Sequence, residues 1–334
     1  MTNSPTALDT DSAAALTSIV ELACRAPSLH NGQPWRWVLD DTALHLFADH
    51  SRIGHRTDSA GREVILSCGV ALDHLQVAAA AAGLTTTVDR FPDPHDQNHL
   101  ASITLRRAES VTDHDRVLGE SIAARRTDRL AFASPEPWVV LDHLLHSVVD
   151  STVALLDVID DEGRPALADA SRRSEANRSD DATYQTELEW WTECSGPDDG
   201  IPLSATASVN EADRVDVARS FPLHGWGNRR PQLHRDYAKI LVLSTFDDSR
   251  ENSLRCGEAL SRVLLECTAA GFATCTLTHM IEVHASREMI RTLTGRRHAE
   301  PQLLIRVGRA PAIDPPPERT PRRPLRDVLQ IRRQ

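Results

Sequence analysis

Two clusters in this chain of 334 residues carry side chains that could do chemistry. The first is Arg25-Ala-Pro-Ser-Leu-His-Asn-Gly-Gln-Pro-Trp35, in which Ser28, His30, Asn31 and Gln33 sit in an apolar frame of Leu29, Pro34 and Trp35. Hydrogen-bonding groups held this way between regular elements can present themselves to a planar ligand. They can equally form a capped turn that satisfies itself. The second cluster is Arg125-Arg126-Thr127-Asp128-Arg129. Guanidinium forks, a hydroxyl and backbone N–H groups at a helix end suit a phosphate. The alternative is a solvated turn whose arginines pair with Asp128.

The elements that must position these groups follow from periodicity. Ala13 to Cys24 reads as a helix with Leu16, Ile19, Val20 and Ala23 along one face. Pro27 ends it, lacking a backbone donor and restricting its predecessor. Trp37–Leu39 and Leu44–Phe47 read as a hairpin, and the run from Gly61 to Ala82 as a buried helix stopped by Gly83. Strands are expected at Thr85–Val88 and Ala101–Leu105. That helix recurs further along. Arg62-Glu63 returns as Arg250-Glu251, Cys68-Gly69 as Cys256-Gly257, Ala71-Leu72 as Ala259-Leu260, and Ala81-Ala82-Gly83 as Ala269-Ala270-Gly271. A constant offset without a gap indicates a duplicated unit. A duplicated unit packs on itself about a pseudo-two-fold axis, so one chain imitates a homodimer and a monomer is expected. The expected fold class is α+β, each half a mainly antiparallel sheet flanked by helices. The halves are set at residues 1–115 and 116–334.

In the second half a helix is expected from near Trp138, a strand at Val153–Ile159 and a buried strand at Lys239–Ser244. Ser171 to Asp181 reads as a polar, charged stretch. Thr183 to Thr192 reads as a helix with Leu188, Trp190 and Trp191 buried. Residues 194–232 are rich in turn-formers around a short helix within Ser208–Ala218; such a segment is either a lid or a surface excursion.

Ala26-Pro27-Ser28-x-x-Asn31-x-Gln33-Pro34-Trp35 resembles the APS-x-x-N-x-QPW signature of the nitroreductase superfamily of FMN proteins. From about Leu22 to Val328 the chain resembles the Acg-type branch, in which two nitroreductase-like halves share one chain. The resemblance implies one FMN held at the interface of the halves. Pro27, Ser28 and Asn31, with Arg25 beside them, would contact the flavin. The run Arg125, Arg126, Thr127, Arg129 resembles the R-R-S-x-R-x-F phosphate motif, with Thr127 in place of serine. By position, Thr276, Leu277, Thr278 and His279 would lie along the isoalloxazine, and Arg322 and Arg323 would reach the phosphate. The second half shows no counterpart of the APS-x-x-N motif, so a symmetric pair of sites becomes one. Thr278-His279 stands where many nitroreductases have an acidic residue and glycine, and His279 is expected to crowd the nicotinamide side. Pro315–Pro317 would stiffen the approach to the tail.

Two functions are compatible with this resemblance. One is a flavin store, with FMN under a lid at 194–232 and little turnover. The other is an NAD(P)H-dependent nitro- or quinone reductase, in which hydride passes to the flavin and on to an acceptor. Neither needs a protein acid or base, so no catalytic residue is assigned. NAD(P)H that stacks on a flavin and leaves needs no dinucleotide fingerprint. A flavin-free interaction protein would require both arginine clusters to be ordinary surface charge.

Composition narrows the field. A formal net charge of −11 argues against a general nucleic-acid binder. Lys239 is the single lysine, so the basic residues are nearly all Arg. The six cysteines form no C-x-x-C pair, and Met1–Asp11 lacks a signal-peptide core. No stretch reads as the ~20 apolar residues of a membrane span. A reduced, cytoplasmic setting is expected. The chain carries no HExxH, P-loop or G-x-S-x-G motif. His45, His50, His55 and His74 do not match a metal-ligand spacing, and no metal site is assigned.

Overall fold

Asp40 and its neighbours turn the chain between two alternating runs, which pair as the antiparallel hairpin β1 (Trp35–Leu39) and β2 (Leu44–Ala48). The computed structural model describes residues 10–54, 56–194, 198–222, 225, 227–313 and 319–332. His55 and the proline run Pro315–Pro317 lie outside the described residues. Helix α1 (Thr10–Ala23) precedes the hairpin, and α2 (Arg62–Ala81) follows it. The strands β3 (Leu84–Arg90) and β4 (His99–Arg107) and the helix α3 (Asp113–Ala124) come next. The second half runs through α4 (Trp138–Val148), β5 (Leu155–Ile159), α5 (Arg164–Ser179), α6 (Ala182–Glu189), α7 (Val209–Ala212) and β6 (Lys239–Thr245). It closes with α8 (Arg250–Ala269), β7 (Ala273–Leu277), α9 (His284–Thr294), β8 (Glu300–Gly308), α10 (Leu325–Val328) and β9 (Leu329–Ile331).

The two sheets share a plan. One is ordered β3-β4-β2-β1-β9 and the other β7-β8-β6-β5. All pairings are antiparallel except β1 with β9, which is parallel. Each sheet has one register shift, at Leu46/Phe47 against β4 and at Leu243/Ser244 against β8. The last strand thus crosses over: β9, from the end of the chain, extends the sheet of the first half. The boundary expected at 115/116 falls inside α3.

Between the sheets α2 packs on α8, as the repeat requires. An added Cβ on Gly69 would lie 2.0 Å from the carbonyl oxygen of Leu254, and one on Gly257 would lie 2.2 Å from that of Leu66. The two contacts are mirror images under the sequence offset, the signature of an isologous interface. Around them His74 Nδ1 meets Ser261 Oγ at 2.8 Å, while the equivalent contact is Arg262 Nε donating to Asp73 at 2.8 Å. Gly83 and Gly271, equivalent positions after each helix, both take a φ of 77°, which needs a residue without Cβ.

Three sequence expectations are corrected. By length and hydropathy α2 could cross a membrane, but it lies buried in the core against α8. Ser171 to Asp181, read only as polar and charged, is largely helix α5. Trp190 is 43% exposed; only Trp191 of the pair is buried, because the chain after α6 widens into a π turn over Trp190–Cys194.

Candidate functional site

The segment 28–33 has an unusual backbone. His30, Asn31 and Gln33 take φ values of 48°, 59° and 51°, a left-handed region that costs a non-glycine residue on the order of 1 kcal/mol. A dense set of hydrogen bonds holds it. Ser28 Oγ accepts from Gln33 N at 2.9 Å, and Gln33 Nε2 donates to Asp198 O at 2.8 Å. Arg323 N donates to Gln33 Oε1 at 2.9 Å. Asn31 Nδ2 donates to Gly200 O at 3.0 Å and Pro321 O at 3.1 Å. The polar residues of the motif therefore bind two distant segments, 198–200 and 321–323, against the first half.

Two adjoining cavities open beside this segment. The larger, of about 420 Å³, lies between the N-terminal turns of α2, the end of β7, α5 and residues 207–221. Leu66, Val70, Leu260 and Leu303 give it apolar walls; Ser28, His30, Thr127 and Thr276–Thr278 supply polar groups. The smaller, of about 50 Å³, shares Pro27, Ser28, Thr127 and Arg129 with it. Six arginines line this small chamber, namely Arg25, Arg125, Arg126, Arg129, Arg319 and Arg322, and among the described residues no acidic side chain does.

The arginine loop is placed by β7: Thr127 bridges Thr274, and Asp128 N donates to Thr274 O at 2.9 Å. Asp128 pairs with Arg230. The cluster follows the C-terminal end of α3, with Arg125 as its cap. A helix N-terminus therefore contributes nothing here, and the positive charge suits the helix end instead. Burial together with the neighbouring Arg25 pushes the Arg125 guanidinium down to about 10. Burial with Arg125 and Arg25 pushes Arg322 down to about 9. Arg25 is lowered by burial and by Arg319 and Arg126. The Nε atoms of Arg25 and Arg125 are buried without a hydrogen-bond partner among the described residues. Six guanidinium groups converging on one chamber fit an anion with several oxygens.

No family model matches the chain. It is 49% identical over 317 residues to "Putative NAD(P)H nitroreductase acg" of Mycobacterium tuberculosis, covering 95% of this chain and 96% of that one. The chain belongs to the Acg-type nitroreductase-like family. A second member from the same organism, "Putative NAD(P)H nitroreductase Rv3131", is 36% identical over 331 residues, covering 98% of this chain and 94% of that one. The FMN-dependent nitroreductase NfnB of Mycobacterium smegmatis superposes on 65% of this chain and 98% of its own, with 16% identity and a TM-score of 0.40.

In this Acg-type chain most residues singled out from the sequence converge. Pro27, Ser28, Thr127, Arg129, Thr276, Leu277 and Thr278 line the larger cavity; Arg25, Asn31, Arg125, Arg126 and Arg322 line the smaller. The donors of Arg322 go to backbone oxygens, including Cys24 O at 3.0 Å, Arg25 O at 2.9 Å and Pro321 O at 2.8 Å. It fixes the tail to the end of α1 and offers the chamber charge. Arg323 sits beside the site rather than in it, donating to Gln33 O and Asp327 O. His279 turns from the cavity wall into the core, 3.0 Å from Ser171 Oγ. His30, already part of the polar cluster, lines the larger cavity, while sequence reading missed Glu63, Arg219, Phe221 and Arg319. Glu63 had a faint signal, a carboxylate opening an otherwise apolar helix. Burial pushes it up to about 7.

Proposed function

We propose that this protein binds one FMN per monomeric chain, the isoalloxazine in the larger cavity and the phosphate in the arginine chamber. Arg25, Arg125, Arg126, Thr127, Arg129 and Arg322 would hold the phosphate; Pro27, Ser28 and Thr276–Thr278 would flank the ring. The observation that carries this reading is the chamber of six arginines joined to a partly apolar cavity of flavin-compatible chemistry. Flavin supplies hydride and electron transfer when bound; the chain supplies position and electrostatics.

The reading extends to storage, with little turnover and residues 194–232 as a lid. Its support is the cavity wall itself. Ala207, Ala212, Val215, Ala218 and Phe221 of that segment line the cavity. Arg164 holds Asp216 with bonds of 2.9 and 2.6 Å, Ser171 Oγ donates to Ala218 O at 3.0 Å, and Arg219 pairs with Glu282. The loop after β7 gives storage no support, since His279 does not line the cavity. The second reading is an NAD(P)H-dependent nitro- or quinone reductase, favoured by the activity named for the two relatives. The experiment is anaerobic stopped-flow absorbance of FMN-loaded protein mixed with NADPH and then NADH. A flavin that stays oxidised toward both, yet bleaches with dithionite, supports storage. Rapid bleaching makes the protein a reductase. Failure to take up FMN removes both.

A further inference from the structure

Asp40, His45, His99 and Ser102 meet on the outer face of the first sheet, and none of them lines either cavity. Buried Leu44 and Leu46 flank His45 in β2, so its side chain points outward. Ser102 stands directly opposite it on β4. His99 is three residues before Ser102 and in a regular strand would face the other way. The register shift at Leu46/Phe47 leaves Leu100 and Ala101 both buried, and this bulge turns His99 out beside Ser102. The second sheet has the same irregularity, but there Val242 faces Leu304 and Ser244 faces Pro301, all buried. The bulge belongs to the fold, whereas the two imidazoles belong to the first copy.

His45 Nδ1, His99 Nε2 and Ser102 Oγ form a near-equilateral triangle with sides of 3.1, 2.9 and 3.2 Å. Ligand atoms about 2.0–2.1 Å from a zinc ion stand about 2.9–3.4 Å apart. The far nitrogen of His45, Nε2, lies 3.0 Å from Asp40 Oδ2. Oδ1 of that carboxylate accepts from Thr42 N, Thr42 Oγ1 and Ala43 N at 2.8, 2.7 and 3.0 Å, which keeps it ionised. An ionised carboxylate only accepts, so His45 carries a hydrogen on Nε2 and, as a neutral ring, turns a bare Nδ1 to the triangle. Metal-bound imidazoles are held in this way, by a carboxylate on the nitrogen away from the ion. Phe47 stacks on the His99 ring with centroids 4.5 Å apart and fixes its orientation. Asp40, His45 and Ser102 also have the order of a hydrolytic triad. That reading fails because β4 is paired on both edges at Ser102, so the backbone N–H groups there are committed to the sheet and cannot hold an oxyanion.

We propose that His45 Nδ1 and His99 Nε2, with Ser102 Oγ beside them, bind one divalent transition-metal ion such as zinc, and that Asp40 orients His45 for it. Among the described residues no three His, Cys, Asp or Glu side chains converge on a metal. Here two imidazoles and a hydroxyl supply one face of the coordination shell, and water completes it from the open side of the sheet. The ion clamps β2 to β4 and, through Asp40, to the turn after β1. His45 shows no ligand spacing in the sequence because its partner lies on another strand.

The test is calorimetric titration of the full chain, stripped with a chelator, with zinc chloride. Binding of one equivalent is expected, and His45→Asn and His99→Asn should each abolish it. Asp40→Asn keeps an oxygen for the turn but sets an amide N–H against His45 Nε2, which reverses the tautomer. It should weaken zinc binding roughly tenfold to hundredfold. Copper(II) gives a second readout on the unaltered chain, because imidazole suits it equally. Its electron paramagnetic resonance spectrum is expected to show coupling to two imidazole nitrogens. Absence of binding by the unaltered chain, binding that survives in both histidine variants, or a copper spectrum without two-nitrogen coupling overturns the site. Unchanged affinity in Asp40→Asn overturns the positioning role of the carboxylate. Melting curves without metal separate a lost ligand from a lost fold, and if a histidine variant does not fold, the copper spectrum still decides.

Discussion

The N-terminal turns of α2 and α8 are equivalent under the repeat and have met opposite fates. At α2, Glu63, Leu66 and Val70 face the large cavity, with Thr278 across from them. Applying the same offset, the mates of Val70 and Thr278 are Glu258 and Arg90. These two form a bidentate ion pair, Arg90 Nε and Nη2 donating to Glu258 at 2.8 and 2.6 Å. Glu251, the mate of Glu63, is exposed and takes a bond from Arg255 at 3.1 Å. Where one end of the dyad keeps a chamber, the other is bridged by charge. Duplication doubles the scaffold but leaves each copy free to diverge. Here the first copy carries the APS-x-x-N loop and Arg25, and the second carries the other arginines of the chamber.

The largest expected effect tests the dyad itself. Gly69→Ala and Gly257→Ala should each cost about 3 kcal/mol in urea unfolding, since each Cβ would strike backbone. A difference above about 1 kcal/mol between them would show that the helix contact is not symmetric. Next, Arg125→Ala should weaken FMN binding by roughly 100-fold, as loss of a charge-assisted bond does. The flavin-free protein should gain stability at the same time, because a buried cation loses its penalty; fluorescence titration and thermal melts read the two separately.

Glu63 sharpens the contrast through pH. Burial raises its acid pKa from 4.5 to about 7, so the folded chain binds this proton more tightly than the unfolded one. Its contribution therefore falls as pH rises from about 4.5 to about 7 and stays lost above that. Glu63→Gln should stabilise the flavin-free protein by about 2 kcal/mol at pH 8 and by nothing near pH 4. The smallest effect belongs to the bridged end. Arg90→Ala should cost about 1 kcal/mol, being only partly buried, and leave FMN affinity unchanged. A second equivalent of bound flavin in this variant would mean that the ion pair alone closes the lost site.

The repeat was legible because helix α2 and its copy keep their glycines and small residues, which the close crossing demands. The convergence of Pro27, Ser28, Thr127 and Thr276–Thr278 was legible through the motifs. The shared strand order was not, since pairing partners leave no mark in short apolar runs. Helix α5 was hidden by Arg172, Arg173 and Glu175, which mask a buried face of Leu167, Ala168, Ser171 and Ser174. Arg219 and Phe221 come from a segment without periodicity, where spacing says nothing about direction. Asp128 looked like the partner of its own arginines, and only the folded chain shows Arg230 taking it.

The crossing of β9 onto β1 bears on when the site can exist. Trp37, Val38 and Leu39 wait for Leu329, Gln330 and Ile331, and the carbonyls at the end of α1 wait for Arg322. During synthesis these last residues leave the ribosome after everything they complete. The first sheet keeps an open edge until Leu329–Ile331 emerge, a condition that invites mispairing. On the proposed FMN reading, cofactor capture would wait for this tail: a chain truncated before Arg322 would keep most of its core and lose the tail's share of the arginine chamber.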